Sequence, residues 1–354
     1  MLALVTTPGR AGTTAVAEVA DVTAAPGEVL LRPLRIGVCG TDREISEGVF
    51  GVAPDDEARL ILGHELLARV EADGHGFARG DLVCATVRRS CRHCLACEDG
   101  APDACLTGDY RERGITRLHG FAAELVAEAP EHLVPVPGGL GTLAVLAEPA
   151  SICARGIRHA ETIAGRQPWR GRRALVLGTG AIGMLATYLL RLRGYEVWAA
   201  GRSAATEHRA QLAAASGATY FSIGDVTPAD AAADAGGFDL VLEATGDAQV
   251  MLDSVSLLGR NGVACLLGID GRPRDVSIDG RVLGVDAILQ NRALLGSVNA
   301  HREDWGTAVG ALADARRRWP AAVEAFVGLS VGVDAFAEAF AYRGVKATLA
   351  FDAV

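Results

Sequence analysis

The chain has 354 residues, of which 50% are hydrophobic and 22% are charged. At about 100–200 residues per domain this length predicts two domains, and the composition excludes wholesale disorder. The formal net charge of −9 argues against a nucleic-acid partner, because phosphate binding requires a concentrated basic surface.

Arginine supplies all but one of the 34 basic side chains, and the exception is Lys346. A lysine nucleophile, a Schiff base or a phosphate-loop lysine would therefore have to be Lys346, which lies in no motif of that kind. Lysine-dependent chemistry is accordingly excluded elsewhere in the chain.

Targeting and cysteine usage predict a cytoplasmic protein without a membrane partner. The N-terminal segment lacks the basic stretch and the apolar core of about 7–15 residues that mark a signal peptide. The uncharged stretch 174–190 contains three glycines and is too short for a typical membrane span. Four of the eight cysteines fall within 91–105, which favours metal binding in a reducing compartment over disulfides.

The texture of the chain changes near residue 172. Before it, short β-like runs such as 28–33 and 81–86 predict an irregular, mostly β domain. After it, strand-like runs alternate with helical periodicity, which predicts a parallel sheet with right-handed crossovers. The predicted strands and helices are strands at 173–177, 196–200, 239–243 and 263–268, helix and loop over 204–236, a helix at 305–317 and a closing strand at 346–351.

The segment from Gly178 to Gly183 fits the pattern Gly-x-Gly-x-x-Gly between a predicted strand and a predicted helix. Glycines at these places permit a tight turn and close approach of the backbone to a pyrophosphate, which then faces the positive end of the helix. The motif predicts a dinucleotide site, although a simple glycine turn would produce the same pattern.

The end of the next strand selects the nucleotide. Sites specific for NAD place an acidic residue there, whereas this chain has Gly201, Arg202 and Ser203. A guanidinium and a hydroxyl suit a 2′-phosphate, and Arg209 could assist. We therefore predict that NADP is preferred and that NAD remains usable, the alternative being that Arg202 is only a solvated surface residue.

Four closely spaced cysteines, Cys91, Cys94, Cys97 and Cys105, predict a compact metal lobe. Four thiolates satisfy a structural zinc ion without leaving an open position. An iron–sulfur cluster uses similar cysteine runs and is the competing interpretation.

A second set of candidate zinc ligands is dispersed along the chain: Cys39, His64, Glu65 and Glu148. Cysteine, histidine and carboxylate with an exchangeable water would form a catalytic zinc site. Spacing alone leaves simpler alternatives open, with Cys39 as a buried apolar side chain, His64 as a turn residue and Glu148 as a charge at a helix start.

The order of these motifs resembles the zinc-dependent medium-chain dehydrogenases, and within them the glucose 1-dehydrogenase family. The strings that carry the resemblance are Gly-Val-Cys-Gly-Thr-Asp at 37–42, Gly-His-Glu at 63–65, the four-cysteine lobe, Gly-Thr-Asp-Arg-Glu-Ile at 40–45, Val-Arg-Arg at 87–89, Glu-Arg-Gly-Ile at 112–115, His-Gly-Phe at 119–121 and Gly-Ser-Val-Asn at 296–299. The resemblance covers essentially the whole chain.

The resemblance implies an α/β fold with two domains. A GroES-like, mostly β catalytic domain would comprise 1–153 and 301–354 and carry the structural zinc lobe at about 88–108. A doubly wound, parallel-sheet Rossmann domain would comprise 154–300. A homo-oligomer, dimeric or tetrameric, is typical of the family.

The resemblance also implies roles for single residues. Cys39, His64 and Glu65 would bind the catalytic zinc, with Glu148 as a further ligand or one acting through water, and Thr41 would relay the substrate proton. Thr41, Glu112 and Asn299 would contact the substrate. The cofactor-binding residues would be Gly178, Thr179, Gly180, Ala181, Ile182, Gly183, Gly201, Arg202, Ser203, Thr245, Gly268 and Asn299.

The implied reaction is hydride transfer from a sugar-like alcohol to NADP, giving a lactone if the sugar is glucose. Ile152 and Leu289 are apolar where family members carry polar groups, which leaves another polyol, aminosugar or cyclitol open as the substrate. A non-catalytic, nucleotide-binding redox sensor is the alternative from another class.

Overall fold

The computed structural model describes residues 1–269, 271 and 274–351. Its strands are β1 (Leu2–Thr6), β2 (Ala15–Glu18), β3 (Val29–Val38), β4 (Leu60–Ile61), β5 (Glu65–Val70), β6 (Leu82–Ala85), β7 (Arg88–Arg89), β8 (Arg111–Arg113), β9 (Arg117–Leu118), β10 (Val126–Glu128), β11 (Leu133–Pro135), β12 (Arg173–Leu177), β13 (Glu196–Gly201), β14 (Thr219–Ser222), β15 (Phe238–Glu243), β16 (Leu258–Leu266), β17 (Ala293–Gly296), β18 (Val327–Gly332) and β19 (Lys346–Ala350).

The helices are mostly short. The α-helices are α1 (Gly40–Ser46), α2 (Leu95–Glu98), α3 (Ala147–Ala164), α4 (Ala181–Leu192), α5 (His208–Ala215), α6 (Pro228–Ala235), α7 (Ala248–Asp253), α8 (Arg302–Arg318), α9 (Pro320–Glu324) and α10 (Phe336–Ala341). Short 3₁₀ helices occur at Pro102–Ala104, Pro130–His132, Gly141–Leu146 and Val333–Ala335, and a π-helical turn at Val282–Ala287. No helix among the described residues combines the length and apolar character needed to cross a bilayer.

The chain forms two compact units. The first comprises Met1–Ser151, Asn299–Ala313 and Val327–Val354, and the second comprises Ile152–Val298 and Asp314–Phe326. The sequence prediction places 301–354 wholly in the first domain, whereas 314–326 groups with the second unit. The physical reason is aromatic packing, because Trp319 and Phe326 meet the ring of Tyr188 edge-on at centroid distances of 5.1 and 4.9 Å.

The second unit is built on a parallel sheet with the strand order β14-β13-β12-β15-β16-β17. This order corresponds to the doubly wound dinucleotide-binding fold, in which the crevice lies where the strand order reverses, between β12 and β15. The predicted parallel-sheet domain is therefore confirmed. Its central strands are buried, as the near-continuous apolar runs 174–177 and 240–242 require.

The prediction of helix and loop over 204–236 is wrong at β14, which lies between α5 and α6 and pairs in parallel with β13. Alanine-rich flanks obscure a four-residue run, Thr-Tyr-Phe-Ser, whose side chains suit a strand. Such a short run becomes a strand only because β13 offers it an edge.

The first unit is mostly β. Its largest sheet has the order β11-β6-β5-β3-β19-β18, with β10 also paired to β3, and two three-stranded sheets have the orders β2-β1-β4 and β7-β8-β9. Apolar side chains from several strands form its core, including Leu4, Leu31, Ile36, Leu66 and Phe121. The C-terminal β19 lies antiparallel to β3, which brings the chain end beside the segment that leads to Cys39.

Candidate functional site

Three of the four dispersed zinc-ligand candidates come together in the first unit. Cys39 follows β3 and precedes α1. His64 immediately precedes β5, and Glu65 is the first residue of β5, which pairs with β3. Their ligand atoms all lie within 4.8 Å of one another, and the Cys39 Sγ is 3.2 Å from the His64 Nε2. The pairing of β3 with β5 thus brings Cys39 and His64, which are 25 residues apart in the sequence, into one cluster.

The cluster is chemically suited to zinc. Sulfur, imidazole nitrogen and carboxylate oxygen are the ligand types that zinc takes in proteins. Burial opposes a charge on His64, yet the nearby Cys39 and Asp42 outweigh burial and raise the pKa of His64 well above its ordinary value. The cluster therefore attracts positive charge, and a divalent cation would supply that charge directly.

Asp42 contacts two of these residues, the backbone of Cys39 and the ring of His64, and was not singled out as a site residue from the sequence. Its Oδ2 accepts a hydrogen bond from the Cys39 backbone N–H at 2.9 Å, and its Oδ1 lies 3.5 Å from the His64 Nδ1. A carboxylate behind a ligating histidine typically fixes the tautomer and the direction of the ring. Its place three residues after Cys39, as in a helix cap, is the sequence signal that could have indicated this role.

Lys346, the single lysine, which the sequence places in no catalytic motif, is a further residue of this cluster. Its Nζ donates to both carboxylate oxygens of Glu65, at 2.6 and 2.7 Å, and both side chains are almost fully buried. Gly37 opposes Glu65 across β3 and β5, and a Cβ at Gly37 would lie 2.9 Å from the Glu65 Cβ. Glu65 is thus held by a buried ammonium in a space that only glycine leaves free.

Glu148 stands apart from the other three candidates. It lies in the first turn of α3 and does not belong to the group of Cys39, His64 and Glu65. Burial, together with the Glu65 carboxylate, raises the pKa of Glu148 to about 7, while His64 and Lys346 oppose that shift. It is therefore near enough to feel the charges of the cluster, and its role as a ligand remains a prediction.

Thr41 lies beside the cluster in the first turn of α1. Its backbone N–H donates to the Cys39 Sγ at 3.2 Å, and its side chain is partly exposed. A hydroxyl at this place is accessible from the surface, as a proton relay requires.

The four cysteines of the predicted lobe converge as well. Their sulfur atoms lie within 4.8 Å of one another, with Cys94–Cys97 at 3.4 Å and Cys91–Cys97 at 3.8 Å. Tetrahedral zinc with bonds of about 2.3 Å places thiolates about 3.8 Å apart. This spacing fits a single ion, whereas an iron–sulfur cluster would hold the sulfurs further apart.

The glycine motif forms the turn between β12 and α4 in the second unit. Gly178 has φ of +105°, and a Cβ there would lie 2.9 Å from the Ala244 carbonyl oxygen. A Cβ at Gly183 would overlap the Gly178 carbonyl, so α4 packs against the turn as closely as it does only because glycine is present. The predicted cofactor residues Thr179, Gly180, Ala181 and Ile182 complete this turn and the start of the helix.

The remaining predicted cofactor residues of this unit surround that turn. Gly201 is the last residue of β13, and Arg202 and Ser203 follow it; the Gly178 N–H donates to the Ala200 carbonyl at 2.9 Å. Thr245 and Gly268 lie just past the ends of β15 and β16.

Glu243, which the sequence analysis missed, accepts hydrogen bonds from Thr245 and so holds the turn that follows β15. It is buried at the end of β15, and its Oε1 accepts hydrogen bonds from the backbone N–H and the hydroxyl of Thr245. Burial raises the pKa of Glu243, against the opposing effect of these hydrogen bonds. The string Glu-Ala-Thr-Gly after a buried strand was the available signal.

Two of the three predicted substrate residues, Glu112 and Asn299, lie in another part of the first unit than Thr41. Glu112, on β8, forms an ion pair with Arg88 at 2.9 Å, and Arg88 also donates to the Asp103 carbonyl at 2.9 Å. Asn299, with φ of +64°, donates weakly to the same carbonyl at 3.4 Å. The structure thus ties both residues to the segment at Asp103 and gives neither a hydrogen bond to the metal-ligand cluster.

Comparison with known proteins shows the family. A family model described as the glucose dehydrogenase C-terminus matches residues 141–351, and one described as the alcohol dehydrogenase GroES-like domain matches residues 25–138. The chain is 41% identical over 329 residues to glucose 1-dehydrogenase of Methanocella arvoryzae, covering 92% of this chain and 91% of that relative. The chain belongs to the glucose dehydrogenase family.

Further members of the family agree with this assignment. Glucose 1-dehydrogenase of Thermoproteus tenax is 40% identical over 306 residues, covering 85% of this chain and 84% of the relative. The structure of Haloferax mediterranei glucose dehydrogenase in complex with NADP, Zn and gluconolactone matches with a TM-score of 0.91 at 30% identity, covering 100% of both chains. Galactitol-1-phosphate dehydrogenase from Escherichia coli, at 22% identity and a TM-score of 0.81, shows the fold alone.

These findings confirm the predicted family, the predicted fold class and the prediction that the chain is a dehydrogenase. The comparisons do not test the roles of single residues, which remain predictions that rest on the site geometry described above.

Proposed function

We propose that this protein is a zinc-dependent glucose dehydrogenase that oxidises glucose to gluconolactone with NADP as the hydride acceptor. The observation that carries the proposal is the convergence of Cys39, His64 and Glu65 within 4.8 Å of one another. The relatives named glucose 1-dehydrogenase and the Haloferax structure with NADP, Zn and gluconolactone support the choice of substrate and cofactor.

Zinc held by Cys39 and His64, with Glu65 or Glu148 as a further ligand, would supply Lewis acidity that lowers the pKa of the sugar hydroxyl. The protein's own groups handle the proton. The Thr41 hydroxyl accepts the proton of the sugar hydroxyl and passes its own toward solvent, while Asp42 keeps His64 in place. The anomeric carbon loses a hydride to the nicotinamide, so that glucose and NADP give gluconolactone, NADPH and one proton.

The second unit binds the dinucleotide. The backbone N–H groups of the turn 178–183 and the start of α4 would hold the pyrophosphate, and Arg202 and Ser203 would hold the 2′-phosphate of the adenosine. The exposed guanidinium of Arg202 at the end of β13, with no acidic residue over 200–203, supports NADP over NAD.

The four-cysteine lobe binds the second, structural zinc in this proposal. We also propose, from the family resemblance, a homo-oligomer that is a dimer or a tetramer. The eight cysteines form no disulfide, which supports a reducing compartment such as the cytoplasm.

The first test is NADPH formation, followed by absorbance, from NADP and a panel of aldoses, polyols and cyclitols, repeated with NAD. We expect rapid turnover of glucose or a close epimer with NADP. Turnover of a cyclitol or aminosugar alone would support the proposed mechanism but show that glucose is not the substrate. Absence of turnover with every alcohol would favour a nucleotide-binding sensor.

A pair of cysteine variants tests the zinc cluster. Cys39→Ser should lower turnover by about 100-fold or more, because a Lewis acid contributes several kcal/mol to the reaction. Cys84→Ser is the matched control, since the Cys84 Sγ donates to the Ala144 carbonyl at 3.2 Å and belongs to neither cysteine cluster. Full activity in Cys39→Ser would remove the catalytic assignment of this residue.

A further inference from the structure

The turn that follows β13 is fixed by a side chain from the neighbouring strand. Tyr220 lies on β14, where it pairs with Ala199 of β13. Its hydroxyl reaches past the end of β13 and donates to the Ser203 carbonyl oxygen at 2.6 Å. A tyrosine on β14 is thus bonded directly to the last residue of the segment Gly201–Ser203.

Backbone hydrogen bonds hold the same segment at its first residues. The Gly178 N–H donates to the Ala200 carbonyl, and the Ile223 N–H donates to the Gly201 carbonyl, both at 2.9 Å. Beyond the segment, the Ala204 N–H donates to the Glu207 Oε1 at 2.8 Å. The hydrogen bond from Tyr220 to Ser203 lies between the hydrogen bonds at Gly201 and at Ala204, in the part of the turn where Arg202 is exposed.

The space beside Gly201 is closed from two sides. A Cβ at position 201 would lie 2.8 Å from the Thr179 Oγ1, 2.9 Å from the Thr179 Cγ2 and 3.0 Å from the Tyr220 hydroxyl oxygen. Dinucleotide sites that read an unmodified ribose place an acidic side chain at the end of this strand. Thr179 and Tyr220 therefore occupy the space that such a side chain would need.

We propose that Tyr220 and Thr179 determine nucleotide selectivity: Tyr220 positions the Arg202–Ser203 turn for a 2′-phosphate, and both residues exclude an acidic side chain at position 201. This inference rests on the proposed use of NADP. A guanidinium and a hydroxyl give strong charge-assisted hydrogen bonds to phosphate only when their backbone is held in one geometry. A nucleotide with a free 2′-hydroxyl makes no such contact, so a fixed backbone at Arg202 and Ser203 adds little to its affinity.

The test measures the binding of adenosine 2′,5′-bisphosphate and of 5′-AMP to the full-length protein by calorimetry, which requires no sugar and no turnover. In Tyr220→Phe we expect affinity for the bisphosphate to fall about five- to tenfold, as the loss of one hydrogen bond implies. Affinity for 5′-AMP should change less than about twofold, since backbone groups near Gly178 bind its phosphate.

Tyr188→Phe is the matched control. The Tyr188 hydroxyl donates to the Leu212 carbonyl at 2.7 Å in the same unit, and its ring packs on Trp319 and Phe326. This variant should lose thermal stability and leave both affinities unchanged. An equal loss of both affinities in Tyr220→Phe, or a result indistinguishable from that of Tyr188→Phe, would overturn the role of Tyr220.

A second pair of variants tests the steric part. Gly201→Ala should weaken both nucleotides about tenfold, because the added Cβ displaces Thr179 from the glycine turn. Thr179→Ala combined with Gly201→Ala should recover affinity to within about threefold of Thr179→Ala alone, because the two closest contacts are then gone. Failure of this rescue would overturn the exclusion by Thr179.

The wild-type protein separates this inference from the proposed function. Equal affinity of the wild type for the two ligands would contradict the proposed preference for NADP and this inference together. A clear preference for the bisphosphate combined with an unselective Tyr220→Phe would overturn only the role of Tyr220. Turnover of glucose tests the proposed reaction and leaves these binding results unaffected.

Discussion

Lys346 bears the single ammonium side chain of the chain, and the fold buries it against a candidate metal ligand. Both oxygens of Glu65 accept from its Nζ, and the Val38 carbonyl lies 3.5 Å away. A buried ion pair contributes little net stability, but loss of one partner leaves an uncompensated buried charge. Loss of Lys346 would therefore leave the Glu65 carboxylate buried in the sheet without its partner.

Replacing this lysine should destabilise the protein strongly. We expect Lys346→Met to lower the free energy of unfolding by about 3 kcal/mol or more, because Glu65 is then buried without its partner. Adding Glu65→Gln should recover part of the loss, since neither charge remains. Denaturant titration of the metal-free protein measures both variants without involving activity.

The matched control is Arg32→Met on β3 of the same sheet. Arg32 pairs with Glu71 at 3.0 Å, but both side chains retain access to solvent. Its loss should cost less than about 1 kcal/mol, as for an exposed ion pair. Equal costs for Lys346→Met and Arg32→Met would show that burial does not govern the Lys346 pair.

Local motifs among the site residues could be predicted from the sequence, and long-range partners could not. Gly178–Gly183 and the four cysteines each occupy a short stretch, so their spacing alone indicates a turn or a lobe. The contact of Lys346 with Glu65 spans 281 residues and depends on β19 and β5 both pairing with β3. No pattern within a window of the sequence contains that information.

At the scale of elements, the same contrast appears in β14. The strands β12 and β15 could be predicted from their own apolar runs, which are buried in the structure. Their prediction did not require knowledge of which strands they pair with. The strand β14 is an edge strand among alanine-rich helices, and its formation depends on pairing with β13. The missed strand carries Tyr220, which we propose positions the Arg202–Ser203 turn.

The short 3₁₀ helix Pro130–His132 lies beside a buried charge cluster. Glu128 is buried against Arg89 and Arg113, and the Thr86 hydroxyl lies 3.1 Å from the His132 Nδ1. Burial, reinforced by the positive charge of Arg89, lowers the pKa of His132 to about 4. The folded chain therefore keeps His132 neutral where the unfolded chain protonates it.

This element should make the protein acid-sensitive between pH 7 and pH 5. The unfolded chain binds a proton on His132 below about pH 6.5 and the folded chain does not until about pH 4, so stability falls as the pH is lowered across that range. We expect the wild type to lose about 1 kcal/mol more unfolding free energy over this interval than His132→Asn, allowing for solvent screening. Denaturant titration at the two pH values measures this difference.

His75→Asn is the control for the acid response. His75 is exposed with φ of +53°, a conformation that asparagine tolerates, so this variant should show the pH dependence of the wild type. Titration of Glu128 does not contribute to the difference in stability between pH 7 and pH 5. Burial raises its pKa, but Arg89 and Arg113 outweigh burial and lower it overall, so its contribution is lost only below about pH 4.5. Identical pH responses of His132→Asn and the wild type would refute the assignment to His132.

At the scale of the whole molecule, each unit is assembled from separated stretches of the chain. The first unit takes three stretches and the second takes two, with α8 beginning in one and ending in the other. The sequence indicates the change of texture near residue 172, because β-rich and alternating patterns differ. It does not indicate the return of 314–326 to the second unit, which depends on the packing of Trp319 and Phe326 against Tyr188.

The two proposed zinc sites are built into the molecule differently, and their removal should have different consequences. Helix α2 of the cysteine lobe buries no residue of its own, so a zinc ion on the four thiolates would add substantially to its attachment. His64 and Glu65 instead lie buried in the large sheet, which has an extensive core without a metal. Binding free energy of a structural zinc is folding free energy for the segment it holds.

Metal analysis should accordingly find about two zinc ions per chain in the wild type and about one in either Cys94→Ser or Cys39→Ser. Cys94→Ser should raise hydrogen exchange and proteolysis across 91–106, because the Leu106 N–H also loses its acceptor, the Cys94 Sγ at 3.3 Å. Cys39→Ser should lower turnover by about 100-fold or more, as expected for loss of the Lewis acid. It should leave exchange in the lobe unchanged, because the core of the sheet holds its site. A lobe that loosens in Cys39→Ser, or two zinc ions retained in Cys94→Ser, would mean that the two sites are not the independent centres this geometry describes.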